Sequence, residues 1–65
     1  MTFRPTLVFG LGRSGLGVLR QLRRLSWPAE WADEKPKPED EAAATALGFG
    51  RALDLSPARF AQVIA

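Results

Sequence analysis

The spacing of apolar residues shifts along the chain, and each shift marks an element. Thr6-Leu7-Val8-Phe9 is an unbroken run without polar alternation, the pattern of a strand buried on both faces in a parallel sheet. Pro5 stands just before it, where a missing N–H is tolerated. Beyond a stretch of glycines, Leu16, Leu19, Leu22 and Leu25 recur at intervals of three, with Val18 four residues before Leu22. Arg20, Arg23 and Arg24 fall on the opposite side. This spacing predicts an amphipathic helix of about three turns. Ser26-Trp27-Pro28 ends it, since proline drives the residue before it out of the helical region.

Ala29-Glu30-Trp31-Ala32-Asp33 is expected as a second strand, because a parallel partner is due after the helix. Trp31 is assigned to the core and Trp27 to packing at the helix end. Glu34 to Pro38 reads as a loop with two helix breakers. Pro38 at a first helical position, with Glu39, Asp40 and Glu41 behind it, predicts a second helix whose acidic first turn complements the dipole. That helix runs through Leu47 and stops at Gly48. Phe49 to Leu53 suits a short strand. Ser56-Pro57 predicts a one-turn helix with Ser56 as N-cap. Phe60 to Ala65 reads as the opening of another buried strand. The expected class is α/β: a Rossmann-like βαβ unit with a small parallel sheet, in a domain that is incomplete because the chain stops inside that strand. Self-association through the open sheet edge is expected with it.

Composition narrows the chemistry. There is no cysteine and no histidine among the 65 residues. A disulfide framework, a thiolate metal site and a nucleophile–base pair built on either residue are therefore excluded. The net charge of +2 is unevenly spread. Arg4, Arg13, Arg20, Arg23 and Arg24 make residues 1–24 purely basic, while residues 30–41 hold six acids against Lys35 and Lys37. A basic face can bind nucleic acid or a protein partner. No aromatic residues interleave with these arginines as a stacking platform requires, so a solvated helix face is the preferred reading, with no nucleic-acid partner. No apolar stretch approaches the about 20 residues a membrane span needs. Thr6 to Leu19 is broken by Arg13 and four glycines, and no secretory signal is recognisable. No membrane partner is expected, and the expected compartment is the cytoplasm.

Gly10-Leu11-Gly12-Arg13-Ser14-Gly15 joins the first strand to the first helix. Gly10 permits the tight turn, Gly12 lets backbone approach a phosphate, and Gly15 lets the helix pack closely on the strand. The helix N-terminus offers N–H groups and partial positive charge to an anion. Ser14 adds a hydroxyl there and Arg13 a mobile cation. Asp33 follows Gly15 by 18 residues, close to where dinucleotide folds carry the acid that meets a ribose hydroxyl. These features point to a nucleotide, most often NAD(P). A phosphate loop of the Gly-x-x-x-x-Gly-Lys-Ser/Thr type is absent. The expected activity is binding, without a catalytic constellation or a metal site.

The run Leu7 to Leu16, followed by Trp31-Ala32-Asp33-Glu34-Lys35-Pro36, resembles the N-terminal domain of the bacterial Mur ligases that join D-glutamate to UDP-N-acetylmuramoyl-L-alanine in peptidoglycan synthesis. The resemblance implies a Rossmann-like domain spanning residues 1–65 that binds UDP instead of NAD. It implies that Gly12, Arg13 and Ser14 face the diphosphate and that Asp33, Glu34 and Lys35 border the uracil. Gln62-Val63-Ile64-Ala65 is similar to the strand before that family's Ser-Pro-Gly turn. The family's central ATPase domain, which uses ATP and magnesium, and its glutamate-binding domain have no counterpart here. Where a glycine commonly ends the family's first helix, Leu25-Ser26-Trp27-Pro28 stands instead. An NAD(P)-binding dehydrogenase fragment and a basic, non-enzymatic interaction module remain alternatives.

Overall fold

A computed structural model describes residues 4–65. The elements follow in the order β1 (Thr6–Phe9), α1 (Arg13–Arg24), β2 (Ala29–Ala32), α2 (Pro38–Ala46), β3 (Gly50–Arg51), a short 3-10 turn (Pro57–Arg59) and β4 (Gln62–Ile64). All strand pairings are parallel, in the order β3-β2-β1-β4. The chain steps outward from β1 to β2 and β3, then returns to place β4 on the other side of β1. The α/β class read from the sequence is therefore the observed one. The second strand ends one residue earlier than expected, at Ala32, because its partner β1 pairs only as far as Phe9 and turns away at Gly10.

Alternation along the strands sends Val8 and Trp31 to one face and Leu7 and Ala32 to the other. The first face is covered by α1, whose Leu16, Leu19 and Leu22 pack with Val8, Leu11 and Trp31 and with Ala44 and Phe49 from the α2 region. Each such leucine contributes about 1.5–3 kcal/mol on burial. Trp31 lies in this core, and Trp27 is half-buried against it.

The second face is thinner. Phe60 and Ala52 cover Leu7 and Ala32 there. Glu30, on the same face as Leu7, meets Arg59 at 3.3 Å. Phe9 and Val63 also point to this side and stay 42% and 54% exposed. This corrects two expectations. The first strand is not buried on both faces at Phe9, and β4 is an edge strand with exposed Gln62 and Val63. The physical reason is that both α-helices supply the first core only. Ser56 likewise makes no side-chain cap; its N–H donates to Asp54 Oδ1 at 2.9 Å.

Both helices end in the same hydrogen-bonding pattern. After α1, the Ser26 N–H donates to the Arg23 carbonyl and the Trp27 N–H to that of Leu22. After α2, Gly48 and Phe49 repeat this with Thr45 and Ala44. Each is a Schellman motif, whose pivot residue adopts left-handed geometry. Gly48 does so at φ +89°, and Ser26 at φ +55°. Ser26 thus takes after α1 the left-handed position that Gly48 takes after α2. A non-glycine residue costs about 1–2 kcal/mol in this region, partly offset by the lower unfolded-state freedom of serine. Ser26→Gly is accordingly expected to stabilise the chain by about 0.5–1 kcal/mol. Thermal unfolding checks this, and an unchanged or lower midpoint contradicts it.

Candidate functional site

The turn between β1 and α1 is shaped by its glycines. Gly10 adopts φ +99°, which side chains rarely tolerate, and its N–H donates to the Ala32 carbonyl at 2.8 Å. Gly15, in the first turn of α1, is buried. A Cβ there would collide with the carbonyl oxygen of Gly10, so only glycine lets the helix start directly over the end of β1. At Gly12, the N-cap residue, a Cβ would meet nothing within 4 Å. This backbone faces open space. Helical bonding begins with the Leu16 N–H on the Gly12 carbonyl at 2.9 Å.

No side chain caps α1, and no acid lies in its first turn. The helix leaves its first N–H groups unused and presents partial positive charge at this end. They open on a cleft of about 370 Å³ lined by Gly10, Gly12, Arg13, Ser14 and Gly15. The opposite wall is Ile64 and Ala65, at the end of β4. The cleft therefore sits between β1 and β4, at the carboxyl ends of the strands, where the strand order reverses. Open α/β sheets bind ligands at this kind of point. Sequence reasoning did not single out Ile64 and Ala65 as site residues. The signal was the parallel class itself, which brings the end of a later strand beside the glycine turn.

Asp33 leaves β2 beside this turn. Its Oδ2 accepts the Leu11 N–H at 2.8 Å and its Oδ1 the Lys35 N–H at 2.9 Å. These two bonds hold its carboxyl below the ordinary value of 3.8, outweighing the opposing effect of desolvation, and the nearby Arg51 guanidinium adds a lesser lowering. Such a carboxylate is an acceptor near neutral pH and not a proton donor. Arg51 also reaches across from β3, its Nη2 donating to the Asp33 carbonyl at 3.1 Å.

The remaining predicted residues divide between two depressions. Gly12, Arg13, Asp33 and Lys35 share a polar groove with Arg20 and Lys37, on the α1 side of the turn. Glu34 is not among them. It lies in a smaller hollow with Phe9, Arg51 and Leu55, on the other side of Asp33. Gly12 and Arg13 belong to both the cleft and the groove. The arrangement suits an elongated anion anchored at the start of α1 and continuing toward Asp33. Among the described residues, no helix is long and apolar enough to cross a membrane.

Comparison with known proteins finds relatives of this chain. Over 59 residues, 91% of this chain, it is 49% identical to proteins named UDP-N-acetylmuramoylalanine–D-glutamate ligase from two strains of Thermus thermophilus. Over 46 residues, 71% of the chain, it is 48% identical to the protein of that name from Deinococcus radiodurans. The chain spans 14% of the length of the Thermus proteins and 10% of the Deinococcus one. No family model matches the chain, and no solved structure matches it.

Two glycines in the same helix should respond in opposite directions. Gly15→Ala forces α1 away from Gly10 and is expected to destabilise by about 1–3 kcal/mol, the usual cost of overpacking. Gly17 is exposed, with nothing within 4 Å of a Cβ, so Gly17→Ala should stabilise by about 0.5–1 kcal/mol. Denaturant unfolding of both variants tests this; equal effects would refute the close-contact account of Gly15.

Proposed function

We propose that this chain, which is related in sequence to the UDP-N-acetylmuramoylalanine–D-glutamate ligases, forms the wall of such a ligase that holds the UDP end of UDP-N-acetylmuramoyl-L-alanine during peptidoglycan synthesis in the cytoplasm. The observation that carries the proposal is the uncapped start of α1, opening with Gly12 into the cleft between β1 and β4. A diphosphate placed there accepts N–H groups of the first helical turn, with the Ser14 hydroxyl and the Arg13 guanidinium beside it. The uridine then extends toward Asp33, Glu34 and Lys35. The ATP- and magnesium-dependent chemistry belongs to other parts of such a ligase, and no step of it is assigned to residues of this chain.

The competing reading is NAD. Each Asp33 oxygen accepts one backbone N–H and keeps a lone pair for a ligand, so Asp33 serves either nucleotide; the relatedness to the UDP-N-acetylmuramoylalanine–D-glutamate ligases is what favours UDP. Calorimetric titration of the 65-residue chain separates the two. UDP is expected to bind, and Arg13→Ala to weaken it several-fold with the fold unchanged. Tight NAD binding with no response to UDP would overturn the proposal.

The outer edge of β4 carries main-chain groups with no strand beside them among the described residues, which is a template for pairing. At high concentration the chain is expected to self-associate. Sedimentation as a monomer throughout would contradict this.

A further inference from the structure

We infer that Asp33 is a positioning residue: by accepting the Leu11 N–H it holds the glycine turn in its phosphate-receiving shape, ahead of any contact with sugar or base. The inference rests on the phosphate-site reading above and deepens it.

Two consecutive turn residues are tied to two consecutive residues leaving β2. The Gly10 N–H bonds to the Ala32 carbonyl at 2.8 Å, and the Leu11 N–H to the Asp33 carboxylate at 2.8 Å. The second bond is not a further rung of the β1–β2 ladder, in which N–H groups of even-numbered residues, Thr6 and Gly10, reach the β2 side; it is an added tie made by a side chain. Leu11 is also pinned from the other side, since its side chain is fully buried in the core. The carboxylate is itself oriented by the Lys35 N–H, and its backbone by Arg51. The Leu11 N–H is consequently spent on Asp33 and is not a phosphate donor. Gly12, the next residue, opens to the cleft. Charge-assisted bonds of this type are the stronger class. Without the carboxylate, Leu11 keeps its buried side chain but loses this tie from its N–H to the end of β2.

A role confined to the ribose or base makes the opposite prediction for a ligand that has neither. Inorganic pyrophosphate is that probe. Asp33→Ala is expected to weaken pyrophosphate binding to the chain at least fivefold. Asp33→Asn, whose side-chain oxygen can still accept one N–H, should weaken it less. If Asp33→Ala binds pyrophosphate like the unaltered chain but loses affinity for UDP, the inference is overturned while the ligand reading stands. Failure of the unaltered chain to bind either pyrophosphate or UDP overturns the phosphate-site reading, and is recognised because no substitution is involved.

Should Asp33→Ala not fold, the unaltered chain carries the test. Arg13 and Arg20 of α1, Lys35 and Lys37 of the loop, and Glu39 and Asp40 of α2 line the groove on one side of Asp33. Glu34 and Arg51 lie on the other. In proton–nitrogen spectra the Leu11 amide should resonate downfield while the carboxylate is ionised. It should move upfield as pH falls below about 3.8, the ordinary value from which Asp33 is displaced downward. A Leu11 amide indifferent to that titration would overturn the inference.

Discussion

The contact between Gly15 and the carbonyl of Gly10 is the constraint on which the rest of the molecule depends. It lets α1 begin directly above the end of β1. From that start, the leucines at 16, 19 and 22 meet Val8 and Trp31 without adjustment, and most of the core follows. The same contact aims the unbonded N–H groups of the first helical turn past the carboxyl end of β1. Fold and candidate site are thus one geometric decision. A side chain at position 15 would damage both, which distinguishes this glycine from Gly17 in the same helix.

The two faces of the sheet are unequal, and this governs how the site is held. One face carries both helices and the larger core. The other is covered by Phe60 and Ala52, with the half-exposed pair of Arg59 and Glu30 nearby. A pair with that exposure contributes at most about 1 kcal/mol. A chain of this size buries only about 60% of its unfolded surface, so local anchors matter more than in a larger domain. The β1–α1 turn has several: the buried Leu11 side chain, the Gly10 bond to Ala32 and the Leu11 bond to Asp33. The cleft is built on the best-supported part of the chain, while the β4 wall that completes it lies at the sheet's edge.

Much of this was legible in the sequence, for identifiable reasons. The leucine spacing, Pro38 with its acidic followers, and Gly48 are local signals, and each marked its element close to where it lies. Phe9 and β4 were misjudged because apolar character reports what a side chain tolerates, not whether a second layer exists to cover it. Ser26 was noticed as a departure, yet its left-handed conformation is visible only in the Schellman bonds. At the site, the spacing from Gly15 to Asp33 drew attention to a residue that is tied to the glycine turn. Its bond to Leu11 was hidden, since the expected partner was a ligand hydroxyl and the observed one is a backbone N–H 22 residues away. The separation of Glu34 from Lys35 into different depressions was equally hidden. Adjacent loop residues diverge according to a backbone path that composition does not encode.

The central claim is that a nucleoside diphosphate is received at the start of α1. Mapping the backbone amides of the 65-residue chain by NMR during addition of UDP tests it most directly. The largest shifts are expected on Gly12, Arg13, Ser14 and Gly15, with smaller ones at Asp33 to Lys35. Shifts concentrated along Arg20, Arg23 and Arg24, with Gly12 to Gly15 unmoved, would contradict it.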